Sequence, residues 1–154
     1  EIIRKCPNNC VHCSSLSDKH CNEILDYERF TSVVTDAAHL GAKIICLSGG
    51  EPFLHSKIVE MIDFVHSLGL DSYVYTSGII FDEQNKRVSL DNNILQAIAG
   101  KVTKLIFNIE AGTPITYDSI MGTSGCFETM KKSVLMANDF SILTEAHLVP
   151  IKFK

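Results

Sequence analysis

Three cysteines carry the first chemical signal in this chain. Cys6-Pro7-Asn8-Asn9-Cys10-Val11-His12-Cys13 spaces its thiols as C-x3-C-x2-C. Soft thiolates select zinc or an iron–sulfur cluster, and so short a loop can wrap one metal centre with little further loss of chain entropy. Two readings stay open at this point. His20 or Cys21 can supply a fourth donor and close a structural zinc site. Three thiolates alone would instead leave one coordination position free for a substrate. The polar neighbours Asn8, Asn9 and His12 argue against thiols that merely fill a core.

A second set of residues lies further along. In Leu47-Ser48-Gly49-Gly50-Glu51-Pro52-Phe53-Leu54, the glycines let the backbone approach a ligand closely and Pro52 fixes the chain as it leaves. An ordinary strand-to-helix turn would use the same residues. Asn108 and Glu110, two apart on a strand-like run, share one face. A carboxylate and an amide there can bond ribose hydroxyls, or simply cap the rim of a sheet. Glu145 and His147 also share a face, and on a core strand they need a partner or a cavity.

The elements that must position these residues alternate between strand and helix. Ile2-Ile3 reads as a first strand leading into the cysteines. Asp26 predicts an N-cap for a helix with Tyr27, Phe30, Val33, Val34, Ala37 and Ala38 on one face and Gly41 beyond its end. Lys43 to Ser48 is a second strand, in which Cys46 reads as a small core hydrophobe. Ser56 is placed to cap a helix through Ile58, Ile62, Val65 and Leu68. Asp71 to Thr76 follows as a third strand, running into Ser77-Gly78. The polar stretch Asp82 to Ser89 reads as a loop, and Asp91 opens a short helix to Ile98. Lys104 to Ile109 is a fourth strand. A turn-rich connection with a short helix around Tyr117 to Met121 leads to a helix through Phe127, Met130, Val134 and Leu135, then to a fifth strand, Thr144 to Val149.

Strands separated by helices pair in parallel, since antiparallel hairpins need only short loops. Periodicity does not choose between a barrel segment and a doubly wound sheet. In both, ligands bind at the carboxyl ends of the strands, where each of the polar motifs falls.

Composition sets the outer bounds. With 154 residues, 45% hydrophobic and 21% charged, the chain can bury one core. Its formal charge of −4 and scattered basic residues exclude bulk phosphate-backbone binding, so no nucleic-acid partner is expected. No apolar run is long enough for a membrane helix. Six cysteines among regular α/β units suit a reducing, cytoplasmic setting better than a disulfide scaffold. The opening at Glu1, already on a strand, suggests a piece of a longer protein.

Taken in this order and separation, the cysteine triplet and the Gly-Gly-Glu-Pro turn resemble the radical SAM (S-adenosylmethionine) enzymes, over nearly all of the chain. The resemblance implies an α/β fold, a partial (β/α) barrel of parallel strands with helices outside. Here it is truncated to about five strands, one fewer than the family's shared core, with residues 1–154 as one incomplete core domain. Cys6, Cys10 and Cys13 would ligate a [4Fe–4S] cluster, whose fourth iron would bind S-adenosyl-L-methionine. One electron would then cleave the sulfonium to methionine and a 5′-deoxyadenosyl radical that abstracts hydrogen from a substrate. Gly49, Gly50 and Glu51 would take the family's contact to the methionine amino group. His12 stands where relatives usually carry an aromatic residue beside the nucleoside. It can equally be a solvated loop residue, or a ligand under the zinc reading. Asn108 and Glu110 replace the Ser and Asp of a common Ser-Leu-Asp-Gly, and Thr76 and Ser77 match a frequent Thr-Asn facing the same pocket. The implied partners are a small-molecule or peptide substrate and a reductant such as ferredoxin or flavodoxin. The alternative is a zinc-stapled α/β binding module without redox activity.

Overall fold

The computed structural model describes residues 1–150. Its centre is a parallel sheet of four strands in the order β1-β2-β5-β6, with β1 at Ile44–Leu47, β2 at Asp71–Thr76, β5 at Lys104–Asn108 and β6 at Thr144–His147. Each strand adds beside its predecessor in the sheet, and the order never reverses. A doubly wound sheet needs such a reversal, so the architecture is that of a partial barrel with its helices on one side. The helices are α1 (Tyr27–His39), α2 (Ile58–Ser67), α3 (Asn92–Ile98), α4 (Pro114–Met121) and α5 (Cys126–Asp139). Asp26 and Asp91 cap α1 and α3 through their side chains, as expected from the sequence.

Period-2 alternation divides the sheet into two faces. Leu47, Val74, Leu105 and Phe107 point to the helices and join Ile62, Val65, Leu95 and Ile98 in the core. Tyr73, Tyr75, Lys104, Ile106, Glu145 and His147 lie on the concave face. Cys46, aligned with Tyr73, also lies there and is exposed. The expectation of a buried Cys46 is therefore wrong: in a four-residue strand, alternation gives the helix side to Ile45 and Leu47.

Three further readings need correction. The first strand is reduced to single bridges, Ile3 with Gly49 in parallel and with Ile24 antiparallel. Residues read as a loop form most of an antiparallel hairpin, β3 (Ile79–Phe81) with β4 (Arg87–Ser89). Ser56 does not cap α2, whose N-cap is Lys57 without a side-chain bond. The expected domain of residues 1–154 extends past the described residues by its last four positions. Among the described residues no helix is long and apolar enough to cross a membrane.

Candidate functional site

The cysteine loop is held from several sides. Gly50 N–H bonds Ile3 carbonyl at 2.7 Å and Glu51 N–H bonds Lys5 carbonyl at 2.9 Å, which lays the segment before Cys6 along the turn after β1. A Cβ at Gly50 would stand 2.3 Å from the Lys5 carbonyl oxygen, and one at Gly49 2.1 Å from that of Ile3. The close backbone approach these glycines allow is thus first to the chain's own cysteine-bearing segment. On the other side, the backbone N–H groups of Asn9 and Val11 bond the carbonyls of Met121 and Ile120 at the end of α4. Arg87 of β4 donates from Nε to the Pro7 carbonyl at 2.6 Å.

These ties leave a cavity of about 410 Å³ at the carboxyl ends of the strands. Cys6, Cys10 and Cys13 line it together with Gly49, Gly50, His12, Thr76, Ser77, Asn108 and Glu110. Among the residues the resemblance assigns to the cluster and S-adenosylmethionine, Glu51 alone is absent from the lining. It is fully buried below the turn, where its carboxylate accepts from Thr76 Oγ1 at 2.7 Å, Ser77 Oγ at 2.6 Å, Ser77 N–H at 2.9 Å and Phe53 N–H at 3.3 Å. Desolvation by burial raises its pKa, against the pull of these donors. Its visible role is to tie the β1 turn to the end of β2.

Glu110 accepts from Asn108 Nδ2 at 3.3 Å and from Val149 N–H at 3.0 Å, and its Oε1 lies 3.2 Å from His12 Nε2. His12 is consequently no solvated loop residue; it is docked against the end of β5. The shared face of Asn108 and Glu110 is realised, with Asn108 in the last pair of β5 and Glu110 two residues past it. Glu145 and His147 separate in role. His147 lines the cavity and meets Tyr75 edge-on at 5.7 Å, whereas Glu145 pairs with Lys104 on the concave face.

Burial pushes the Cys6 thiol well up, with Glu51 adding to the effect and the Asn8 backbone N–H opposing it. Burial, then the neighbouring Cys13 and Cys126, pushes Cys10 up to about 12. Both thiols are therefore protonated at neutral pH, and thiolates form where a cation offsets the burial. All six cysteines are free of disulfides. Among the described residues no three His, Cys, Asp or Glu side chains converge closely enough for a single metal ion. His20 and Cys21, the candidate closing ligands of a zinc site, line a separate surface depression. Thiols set around a cavity rather than a point suit a multinuclear centre with separate corners.

Sequence reasoning passed over Asn8 and Ser17, which also line the cavity. The Nδ2 of Asn8, the Nδ1 of His12 and the Oγ of Ser17 are buried there without a hydrogen-bond partner. Position was the available signal for Asn8, which falls between two of the thiols.

A family model described as the radical SAM superfamily matches residues 1–151. Among curated relatives, a PqqA peptide cyclase from Rhizobium meliloti is 30% identical over 129 residues, 83% of this chain and 32% of its own length. One from Gluconobacter oxydans is 36% identical over 84 residues, covering 54% of this chain and 24% of the relative. The chain thus matches a quarter to a third of those proteins. Among solved structures, Streptococcus suis SuiB bound to S-adenosylmethionine aligns with a TM-score of 0.78 at 13% identity, over 99% of this chain and 33% of SuiB. SuiB bound to the precursor peptide SuiA gives 0.77 at 14% identity, over 99% and 32%. Methylornithine synthase gives 0.71 at 19% identity, over 94% and 42%. At these identities the structural likeness speaks for the fold.

Proposed function

The chain belongs to the radical SAM superfamily of enzymes, and from that premise we propose that it is the cofactor-binding core of an enzyme that modifies a peptide by hydrogen abstraction. The carrying observation is the gathering of Cys6, Cys10 and Cys13 with the Gly49-Gly50 turn around one cavity at the strand ends. Bound there, a [4Fe–4S] cluster and S-adenosylmethionine supply one-electron reductive cleavage of a sulfonium. The protein's part is positional. The three cysteines hold the cluster, and Gly49 and Gly50 let the turn pack against the cysteine-bearing segment while lining the cavity themselves. His12, Asn108 and Glu110 form a linked polar rim suited to a nucleoside, with Thr76 and Ser77 at the neighbouring strand end. Glu51 acts from below by fixing the turn.

A peptide substrate is favoured over a small molecule by the relatives, which include PqqA peptide cyclases and a SuiB structure with its precursor peptide. A low-potential donor such as ferredoxin or flavodoxin, and a reducing cytoplasmic setting that keeps the thiols available, belong to this reading.

Anaerobic reconstitution with iron and sulfide tests it. The expected product is brown, with a reduced-state EPR signal that changes on addition of S-adenosylmethionine. Cys10→Ala should abolish both. A colourless protein with stoichiometric zinc would instead establish the zinc-stapled module.

A further inference from the structure

Each of the two residues passed over in the sequence stands beside one of the three thiols and lines their cavity. The N–H of Ser17 lies 3.3 Å from Cys13 Sγ. Asn8 lies two residues beyond Cys6, and its backbone N–H acts to lower that thiol's pKa. Their side chains are almost fully buried, with Asn8 2% and Ser17 5% exposed. The orientation of Asn8 is set by Cys126 at the start of α5, whose Sγ donates to Asn8 Oδ1 at 3.4 Å. That contact occupies the oxygen and leaves Nδ2 as the free donor. Ser17 Oγ is likewise without a partner, and both residues line the cavity of the three thiols. A buried donor with no acceptor is costly, so the Asn8 amide, with the Ser17 hydroxyl free to donate beside it, points to an acceptor-rich guest next to the ligand sulfurs. His12 Nδ1 is also without a partner, but with Nε2 donating to Glu110 it is the acceptor nitrogen of a neutral ring and is not part of this donor set.

We propose that Asn8 Nδ2 and Ser17 Oγ donate hydrogen bonds to sulfurs of the cluster held by Cys6, Cys10 and Cys13, and that these bonds raise its reduction potential. The inference rests on the cluster reading given above. Sulfide and thiolate sulfurs accept hydrogen bonds and do not donate them. The reduced cluster carries one more negative charge than the oxidised one, so a fixed donor stabilises the reduced form more, and a low-dielectric site enlarges the difference. The two residues thus set how readily the centre takes up its electron, without changing its ligands.

The test is a redox titration, followed by EPR, of the full-length protein with its cluster reconstituted. Ser17→Ala deletes one hydroxyl and leaves the backbone N–H on Cys13. Asn8→Leu removes the amide at similar volume. Each variant should keep its iron and show about a tenfold lower reduced-to-oxidised ratio at a fixed potential, which is about 59 mV for one electron. Ser17→Thr should restore the wild-type midpoint, a rescue that bulk packing would not produce. If Asn8→Leu disturbs the loop, the serine pair carries the test alone. A Ser17→Ala midpoint equal to wild type overturns the inference, as does loss of the cluster in that variant, which would make the hydroxyl a structural tie. A wild-type protein that takes up no cluster would sink the cluster reading itself, a separate outcome.

Discussion

Glu51 shows how a residue in the candidate cofactor-binding turn can serve the fold. Its carboxylate is fully buried, yet hydroxyls from Thr76 and Ser77 and backbone N–H groups from Phe53 and Ser77 surround it. The hydroxyls can donate to a carboxylate or accept from a carboxylic acid, so either form is satisfied. Burial dominates and holds its pKa above the ordinary value of 4.5. A folded state that keeps its proton longer than the unfolded chain is favoured at low pH. The stability Glu51 contributes through this shift is complete below about 4.5 and is lost as pH rises from there through its folded value. Glu51→Gln puts an N–H2 against donors and should destabilise by about 1–3 kcal/mol. The wild type's advantage in melting temperature over Glu51→Gln should shrink as pH rises. An advantage that grows with pH would show a carboxylate held below its ordinary range instead.

At the scale of elements, the β3–β4 hairpin is the part least legible in the sequence, and it reaches the cysteine loop through Arg87. Asp82 to Ser89 is polar, and strands of three residues show no usable alternation. The turn is local chemistry: Asp82 accepts from Gln84 and Lys86 N–H groups at 2.8 Å, and Asn85 takes a left-handed φ of 57°. By contrast, the parallel sheet and its helices were readable, because Asp26 and Asp91 sit at true caps and β-branched runs mark the strands. The gathering of Cys6, Cys10, Cys13 and the glycine turn around one cavity was readable, because residue type and spacing mark those positions. The site was not readable where tertiary contacts decide, as for the docking of His12 on Glu110 or the burial of Ser17. Arg87 is the hairpin's link to function, bonded to the Pro7 carbonyl at 2.6 Å with its guanidinium 5.9 Å from the Phe81 ring centroid. The side chain is exposed, so Arg87→Ala should cost only about 1 kcal/mol of stability. Its larger effect should be on the loop: a chelator should strip iron from the reconstituted variant several times faster than from wild type, by the rough factor about 1 kcal/mol allows. Equal stripping rates would remove the hairpin from any role at the site.

For the molecule as a whole, the cavity is where distant parts of the chain meet. Its lining runs from Glu1 through the cysteine loop, the turn after β1, the end of β2 and the end of β5 to Val149. Among the described residues that rim holds buried polar atoms without partners, Asn8 Nδ2, His12 Nδ1 and Ser17 Oγ. A ligand that satisfies the rim bonds elements from both ends of the fold at once, and unfolding must then release it. Linkage makes this measurable. Added to cluster-loaded protein at a hundred times its dissociation constant, S-adenosylmethionine should stabilise the fold by about 2.7 kcal/mol. For a chain of this size that corresponds to a rise in melting temperature of roughly 5–10 °C. On the proposed reading, in which the three-cysteine centre recruits the compound, Cys10→Ala should melt at the same temperature with and without it. An equal rise in Cys10→Ala would mean that the compound binds without the three-cysteine centre, and the site would have to be sought away from the thiols.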